Sequence, residues 1–375
     1  MFDSLMKNAD PLIASLLDRV LDKKRLKEED YITLMNVKGF ELLLLQITAD
    51  LIRKREVGDY VSFVVNRNIN FTNICVGKCS FCAFRRSPDK QEAYFLSIDE
   101  ILQRVRDSIR KEITEICIQG GLHPDIDITY YETMIKRIKQ EFPDIHIHAF
   151  SPMELYYISK KSDLSIMEVL KTLKEAGLDS IPGTAAEILH DEIRRVICPK
   201  KINTEEWVNV IKSAHRIGIP TTCTMMYGHI EGPEEKIRHL LLLKEIQKET
   251  KGFTEFVPLS FIHQNTELYK SNKARPGATG AEDLKVICLS RIIFEGYIKN
   301  IQASWVKLGQ KLAQLMLNAG ANDLGGTLFE ENISRTAGAR HGEYLEKEEM
   351  IRLIKDIGRV PVERSTVYEK LKVYL

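Results

Sequence analysis

Three of the seven cysteines in this sequence fall within a single short loop, directly after an apolar run that predicts a β-strand. Cys75, Cys79 and Cys82 have the spacing C-x3-C-x2-C, and the predicted strand covers residues 69–74. A loop with such tight spacing can hold several thiolates around one corner of a metal centre. Thiolates select iron–sulfur clusters, zinc or Cu(I). No fourth Cys or His follows at a spacing that would complete the site locally, so a four-iron cube bound here would keep one iron open.

The distribution of the seven cysteines, three in one loop and four scattered, favours metal chemistry over a disulfide framework. Cys117, Cys198, Cys223 and Cys288 are scattered, and each is interpreted as a small core residue. One cluster of three thiols in such a chain is typical of a protein from a reducing compartment. A zinc knuckle and three unrelated thiols are the alternatives for the cluster itself.

Charge and hydropathy argue against several functional classes. Lys and Arg number 54 against 53 Asp and Glu, and the net charge of +1 gives no electrostatic case for binding nucleic acid or an anionic membrane. The longest apolar runs, such as residues 42–45 and 240–243, are too short to cross a bilayer. The first residues lack the segments of a secretory signal. We therefore expect a cytoplasmic protein with no membrane or nucleic-acid partner.

Residues 1–57 are predicted to be helical. One helix of this region carries Phe40, Leu43, Leu44 and Ile47 at helical spacing, which predicts that these side chains form its apolar face. Charged residues flank the apolar ones. We expect this region to be an N-terminal extension that packs against the rest of the fold.

Beyond residue 57, strand and helix patterns alternate, which predicts an α/β fold. Capping boxes at residues 97–100 and 203–206 mark the starts of two of the helices. The predicted strands, after a preliminary one at 59–65, are 69–74, 115–119, 145–149, 178–181, 221–226, 255–259, 300–304 and 322–324. This order predicts a TIM-type (β/α)8 barrel over residues 58–326, followed by a C-terminal capping segment, 327–375. A doubly wound open sheet is the alternative.

Polar and glycine-rich residues follow nearly every predicted strand. In a barrel these strand ends meet at one mouth, where active sites are built. The positions after the strands include the cysteine loop, Gly120-Gly121, Ser151, residues 184–187, 227–231, 263–265, Trp305 to Lys307, and Gly325-Gly326. The sequence therefore predicts one site assembled from many loops.

The cysteine spacing after the first barrel strand resembles that of the radical S-adenosylmethionine (SAM) enzymes. The resemblance implies that Cys75, Cys79 and Cys82 hold a 4Fe–4S cluster whose open iron takes the amino and carboxylate groups of SAM. An electron passed to SAM would then give methionine and a 5'-deoxyadenosyl radical. It further implies SAM contacts from Gly120, Gly121, Glu187, Gly228 and His229. Leu122 stands where many members have Glu, so only the backbone role of the glycine loop carries over.

Longer segments narrow the resemblance to the 4-hydroxyphenyl transferase subunit of FO synthase, in coenzyme F-420 biosynthesis. They are N-R-N-I-N-F-T-N-I-C-V-G-K-C-S-F-C-A-F-R-R, G-G-L-H-P, H-A-F-S-P-M-E, L-D-S-I-P-G-T-A-A-E-I-L, T-M-M-Y-G-H-I-E, N-I-Q-A-S-W-V-K-L-G and G-G-T-L-F-E-E-N-I-S. This family implies transfer of the hydroxybenzyl part of L-tyrosine to 5-amino-6-(D-ribitylamino)uracil. It also implies a one-electron reductant and a second radical SAM subunit that closes the deazaflavin ring.

Two other functions stay open. The aminofutalosine synthase and the cyclic dehypoxanthinyl futalosine synthase of menaquinone biosynthesis are related enzymes with Tyr-Arg after C-A-F, where this chain has Arg85-Arg86. A metal-binding regulatory barrel is the non-enzymatic alternative. For the transferase, strand-end positions nominate His123, His148, Ser151, Gln302 and Trp305 as substrate-binding residues.

Overall fold

Parallel strands with intervening helices dominate the computed structural model, which describes residues 2–375. The strands are β1 (Tyr60–Val64), β2 (Asn66–Asn70), β3 (Glu115–Gln119), β4 (His146–Ala149), β5 (Thr221–Tyr227), β6 (Phe253–Ser260), β7 (Asp323–Gly326), β8 (Val360–Arg364) and β9 (Lys370–Val373). The pairs β2–β3, β3–β4, β5–β6, β1–β7 and β1–β8 are parallel, and β8–β9 is antiparallel. The fold is therefore of the α/β type.

Helices precede, separate and follow these strands. They are α1 (Phe2–Met6), α2 (Pro11–Leu21), α3 (Glu28–Met35), α4 (Gly39–Val57), α5 (Ile98–Ile109), α6 (Ile128–Glu141), α7 (Pro152–Ser162), α8 (Ile166–Ala176), α9 (Asp191–Ile197), α10 (Thr204–Arg216), α11 (Pro233–Thr250), α12 (Glu267–Lys270), α13 (Gly280–Phe294), α14 (Trp305–Leu308), α15 (Gln310–Met316), α16 (Asn332–Ala337) and α17 (Lys347–Asp356). The predicted capping boxes are both present: Ser97 with Glu100 starts α5, and Asn203 with Glu206 starts α10.

Isolated bridges connect the strand pairs where the chain forms only one or two ladder contacts. Ser180 bridges His148, Ile181 bridges Thr221, Ile301 bridges Phe256 and Gln302 bridges Asp323, all in parallel. The predicted strands 178–181 and 300–304 are thus reduced to these bridges. At the first, Pro182 follows directly and has no backbone N–H to continue a ladder.

The strand predicted at 69–74 ends earlier, at Asn70. Thr72 explains the ending, because its hydroxyl accepts a hydrogen bond from the N–H of Ile74 (3.1 Å) and donates one to the carbonyl of Tyr94 (2.7 Å). Such local side-chain bonds offer the backbone an alternative to the ladder. The chain therefore turns here, and the cysteine loop starts from this turn.

The predicted apolar face of α4 was right for Leu44 and wrong for its other three residues. The packed side of the helix is rotated from the predicted one and is formed by Leu44, Leu45, Thr48, Ala49 and Ile52. Phe40, Leu43 and Ile47 are exposed, Leu43 at 55%. The helix is apolar on both sides, so its periodicity alone could not select the packed face.

The C-terminal segment contains strands that periodicity did not predict. β8 lies beside β1, with Tyr60 opposite Val360 and Ser62 opposite Val362, and β9 extends this sheet. The turn between β8 and β9 reaches the amino ends of other strands, where Thr366 donates to Glu115 (2.7 Å) and Tyr368 to Glu255 (2.5 Å). The segment therefore covers that end of the sheet.

No single helix among residues 2–375 has the length and apolarity needed to span a bilayer, although α3 and α4, bent by 120°, pass the same test as a pair.

Candidate active site

Two adjoining cavities lie between the strands and the residues that follow their carboxyl ends. The outer cavity, of about 350 Å³, is lined by Cys75, Cys79 and Cys82 and by residues that follow β3, β4 and β6. The inner cavity, of about 190 Å³, lies among the strands themselves. The two cavities have a common wall formed by Gln119, Thr184, Thr224, Leu259, Lys307 and Glu331. A ligand in one cavity is therefore adjacent to a ligand in the other.

Backbone hydrogen bonds fix the cysteine loop. The N–H of Cys75 donates to the carbonyl of Arg86 (3.1 Å), and its Sγ accepts from the N–H of Gly77 (3.3 Å). The N–H of Cys82 donates to the carbonyl of Cys79 (3.2 Å). Burial raises the pKa of Cys79 to about 12, so metal binding at this thiol must release a proton. Most of the bonds that hold the loop are therefore made by backbone groups.

The three thiols fit an iron–sulfur cluster in their chemistry and placement. All three line the outer cavity. A four-iron cube binds each thiolate at a separate corner, so three thiols at one cavity can hold three of its four irons.

The glycine loop packs directly against the cysteine loop. The N–H of Gly121 donates to the carbonyl of Thr72 (2.8 Å), and that of Val76 donates to the carbonyl of Leu122 (3.0 Å). A Cβ on Gly121 would lie 2.2 Å from the carbonyl oxygen of Ile74, and one on Gly120 would lie 2.5 Å from the Phe71 ring. Both glycines are therefore required by close approach, and both line the outer cavity.

Replacing Gly121 with alanine is expected to destabilise the protein by about 1–3 kcal/mol, the usual effect of overpacking. The new methyl group meets backbone and not a flexible side chain, so relief of the clash requires the cysteine loop itself to shift, and the iron content after reconstitution should fall. Gly280→Ala is the matched control, because nothing lies within 4 Å of its Cβ position. Iron analysis and urea unfolding of both variants test this, and equal iron content would contradict it.

Glu154 is a site residue that the sequence analysis missed. Its Oε2 accepts from the N–H (2.8 Å) and the hydroxyl (2.7 Å) of Ser151, closing a capping box at the start of α7. Its Oε1 accepts from the N–H of Gly120 (2.9 Å). Burial raises the pKa of this carboxyl group to about 7, against the opposing effect of these hydrogen bonds. One side chain thus ties Ser151 and the glycine loop together at the outer cavity.

Glu154→Gln is expected to weaken SAM binding about tenfold, roughly the free energy of one hydrogen bond. The amide has one NH2 end, which would face the N–H of either Gly120 or Ser151 and displace the glycine loop. Glu168→Gln is the control, because Glu168 closes the same kind of capping box with Ser165 at an exposed helix start. Equilibrium binding of SAM to both reconstituted variants gives the comparison, and equal affinities would reject this role for Glu154.

Glu187 lies at the outer cavity and forms an ion pair with Lys201 (2.5 Å). Its backbone has a positive φ of 47°, and its carbonyl accepts from the N–H of Met226 (2.6 Å). Lys201 also lies 5.2 Å from the centre of the Phe81 ring, within the cysteine loop. This pair therefore joins the loop after Ile181 to the cysteine loop.

His148, Gln302 and Trp305 line the inner cavity. The Nδ1 of His148 is 2.7 Å from the Ser180 hydroxyl, and burial lowers the pKa of this imidazole to about 4, so the ring is neutral at physiological pH. The indole N–H of Trp305 donates to the carbonyl of Gly326 (2.9 Å). A Cβ on Gly325 would lie 2.9 Å from the Gln302 amide, so this glycine lets Gln302 lie flat against the backbone.

Three predicted site residues, His123, Gly228 and His229, lie outside both cavities. The ring of His123 is 4.7 Å from that of Phe95, and its Nδ1 accepts from the N–H of Asp125 (3.2 Å). His229 is fully buried beside Glu231 (3.1 Å), and the N–H of Gly228 donates to the same carboxylate (2.7 Å). In this structure their polar atoms stabilise loops near the site.

Lys307 and Glu331, which the sequence analysis did not nominate, occupy the common wall of the cavities. The Nζ of Lys307 donates to the Ser334 hydroxyl (2.5 Å), and Glu331 accepts from the N–H of Ser334 (2.9 Å) at the start of α16. The sequence could have indicated Lys307 as a site residue, because it closely follows the strand predicted at 300–304. Glu331 comes from the C-terminal segment, whose return to the site only the fold reveals.

Comparison with known proteins identifies two families along the chain. Residues 69–243 match the model of the radical SAM superfamily, and residues 250–374 match that of the CofH/MqnC C-terminal region. Among solved structures, methylornithine synthase (PylB) has a TM-score of 0.73 at 19% identity and covers 93% of this chain and 97% of its own. The hydrogenase maturase HydG of Carboxydothermus hydrogenoformans has a TM-score of 0.74 at 16% identity, with coverage of 98% and 82%. These structures share the fold.

Two curated relatives carry the name 5-amino-6-(D-ribitylamino)uracil–L-tyrosine 4-hydroxyphenyl transferase. The protein of Methanothermobacter thermautotrophicus is 54% identical over 357 residues, which cover 95% of this chain and 97% of the relative. That of Methanocaldococcus jannaschii is 60% identical over 328 residues, with coverage of 86% and 91%. With the radical SAM superfamily match, this identity over nearly the full length means that the chain belongs to the family of 5-amino-6-(D-ribitylamino)uracil–L-tyrosine 4-hydroxyphenyl transferases, which are radical SAM enzymes.

Proposed function

We propose that this chain transfers the 4-hydroxybenzyl group of L-tyrosine to 5-amino-6-(D-ribitylamino)uracil, the first step of deazaflavin formation in coenzyme F-420 biosynthesis. The observation that carries this assignment is the 54% identity across 97% of a relative that bears this activity in its name. The two adjoining cavities support it, because a reaction that joins two substrates needs neighbouring sites.

We assign the outer cavity to the cofactors. Cys75, Cys79 and Cys82 would hold the 4Fe–4S cluster, and Gly120, Gly121 and Glu187 would contact SAM, as their common position around one cavity supports. Bound there, the cluster and SAM supply the one-electron chemistry that breaks the Cα–Cβ bond of tyrosine, with an external reductant as the electron source. The protein positions these groups and excludes water, with Phe81 and Phe84 beside the cysteines.

We assign the inner cavity to the ribitylaminouracil. This substrate is uncharged and rich in hydroxyl and amide groups. The cavity presents neutral hydrogen-bonding groups in the amides of Asn68 and Gln302, the hydroxyl of Ser304 and the imidazole of His148. The charged Glu115, Glu255 and Arg364 also line it, and they are bonded to Thr366, Tyr368 and Asp323. Ser151 lines the outer cavity, and His123 lies outside both, so these two nominated residues receive less support.

Gln302→Ala is expected to raise the KM for the aminouracil about 3- to 10-fold, as expected for one lost uncharged hydrogen bond. The KM for tyrosine should change little, because the amide faces the inner cavity. Gln310→Ala, on α15 and outside both cavities, is the control. Steady-state kinetics with each substrate varied in turn separate the two constants; full turnover with an unchanged aminouracil KM would remove Gln302 from the site.

We further propose that the strands close into a (β/α)8 barrel over residues 58–326, between an N-terminal helical extension (1–57) and a C-terminal segment (327–375). The parallel contacts support closure: β2 pairs with β3, β3 with β4, bridges lead to β5, β5 pairs with β6, and bridges lead on to β7. β7 in turn pairs with β1, at the start of the same strand segment as β2. A doubly wound open sheet would lack this last pairing.

We also infer a cytoplasmic location and a second radical SAM subunit as the partner that uses the product. All seven cysteines are free, which supports a reducing compartment. The adduct still requires ring closure to become a deazaflavin, so a further enzyme must take it up.

The decisive experiment is an anaerobic reaction of the cluster-reconstituted protein with SAM, L-tyrosine, the aminouracil and dithionite, analysed by mass spectrometry. We expect an adduct that carries the hydroxybenzyl group, together with 5'-deoxyadenosine. 5'-Deoxyadenosine without the adduct would leave the radical SAM chemistry in place and reject the substrate assignment, and the menaquinone-pathway substrates would be tested next.

A further inference from the structure

Lys307 and Glu331 are oppositely charged, line the same space and do not pair with each other. Both belong to the common wall of the outer and inner cavities. Two other largely buried cations at the cavities have carboxylate partners, Lys201 with Glu187 (2.5 Å) and Arg364 with Asp323 (2.6 Å), whereas Arg85 and Lys200 lie at the more exposed rim of the outer cavity. Lys307 is largely buried but forms no ion pair with any carboxylate of residues 2–375, and its ammonium group donates to the Ser334 hydroxyl (2.5 Å).

Ser334 holds the two charged groups in a fixed relation. Its hydroxyl accepts from the ammonium group of Lys307, and its backbone N–H donates to the Oε2 of Glu331 (2.9 Å). Ser334 is 1% exposed and Glu331 9% exposed, so neither moves freely in solvent. Burial lowers the pKa of Lys307, and Glu331 is the carboxyl group that opposes this most strongly. Lys307 and Glu331 are thus near enough for their charges to interact but do not form an ion pair.

A fixed cation and a fixed anion that lie near each other without forming an ion pair can bind the two charges of a zwitterionic ligand. A free α-amino acid presents a carboxylate and an ammonium group on one carbon, and each gains a charge-assisted hydrogen bond from its opposite. Of the two substrates in the proposed reaction, L-tyrosine is a zwitterion, whereas the ribitylaminouracil is uncharged. The chemistry of the common wall therefore matches tyrosine.

We propose that Lys307 binds the carboxylate and Glu331 the ammonium group of L-tyrosine; this assignment rests on the proposed function. The amino acid would then have its Cα at the common wall. Its Cα–Cβ bond would lie between the outer cavity, which takes the cofactors, and the inner cavity, which takes the acceptor. The benzylic fragment would need to travel only to the neighbouring cavity.

SAM also carries an α-amino acid group, so the test must distinguish the two sources of this chemistry. Binding is measured by calorimetry on the reconstituted holoenzyme, with SAM present and no reductant, so that no turnover occurs. The ligands are L-tyrosine, tyramine, which lacks the carboxylate, and 3-(4-hydroxyphenyl)propanoate, which lacks the ammonium group. SAM affinity is measured separately for each variant.

We expect the wild-type protein to bind tyrosine about 10- to 100-fold more tightly than either analogue, the range for a hydrogen bond to a charged group. Lys307→Met should remove the preference over tyramine, and Lys307→Arg should restore part of it. Glu331→Gln, whose amide oxygen can still accept from Ser334, should remove the preference over the propanoate. Lys311→Met, an exposed lysine on α15, should keep both preferences.

A Lys307→Met protein that still prefers tyrosine to tyramine would overturn the assignment. A Lys307→Met protein that loses SAM affinity but keeps the preference for tyrosine would also overturn it, because Lys307 would then bind the carboxylate of SAM. If Lys307→Met fails to fold, as judged by circular dichroism, Glu331→Gln decides, and an unchanged preference over the propanoate rejects the pair. Failure of the wild-type protein to bind tyrosine would instead refute the proposed function as well, and the adduct assay would fail with it.

Discussion

Replacing Cys79 with alanine is expected to abolish 5'-deoxyadenosine formation and transfer while leaving the fold intact. With two thiolates left, a four-iron cube would have two open irons in place of one and should not be retained through purification. The thiol itself makes little contribution to folding, because the loop is held by backbone bonds such as that from the Cys82 N–H to the Cys79 carbonyl (3.2 Å), which alanine preserves. Iron and acid-labile sulfide analysis, together with detection of 5'-deoxyadenosine, measures the effect.

Cys288→Ala is the matched control for this experiment. Cys288 is fully buried in α13, away from both cavities, so its replacement removes a core thiol without touching the proposed ligands. It should keep its iron, its sulfide and its activity. A Cys79→Ala protein that still cleaves SAM would refute the cluster assignment, and zinc without labile sulfide in the wild-type protein would favour the metal-binding regulatory alternative.

Arg364→Ala is expected to lower the free energy of unfolding by about 3–5 kcal/mol, the usual cost of leaving a buried charge without its partner. Arg364 is 3% exposed, and its guanidinium contacts both oxygens of Asp323 (2.6 and 3.2 Å), which is itself fully buried. Glu255 lies 3.6 Å away, and the Tyr368 ring lies 3.9 Å below the guanidinium carbon. The substitution would strand two carboxylates at the end of the sheet that the C-terminal segment covers.

An exposed ion pair of the same type provides the comparison. Arg352 contacts both oxygens of Glu349 (2.7 and 2.6 Å) on α17, but its side chain is 63% exposed. Arg352→Ala should therefore cost less than about 1 kcal/mol. Urea unfolding of the two variants, followed by circular dichroism, measures both effects, and equal losses would mean that the interior network around Arg364 is not what holds the C-terminal segment in place.

Local sequence patterns predicted the elements that depend on neighbours in the chain. β3 was predicted at its observed limits, 115–119, because a short apolar run bounded by a turn and two glycines has few alternatives. The boxes at Ser97 and Asn203 were predicted because a cap and its partner lie three residues apart. The sequence analysis predicted no helix at the position of α7, although Pro152 is well suited to the first position of a helix.

The sequence by itself determined the class of chemistry and the order of the elements. The spacing of Cys75, Cys79 and Cys82 defines a thiolate site because ligands within one loop need no folding partner to be near each other. Only the tertiary structure decided which side of α4 is buried and which distant residues complete the site. Glu154 reaches Gly120 across 34 residues, Thr366 reaches Glu115 across 251, and Lys307 meets Ser334 from another element. Such pairings depend on how the strands are arranged in space, and no local periodicity encodes that arrangement.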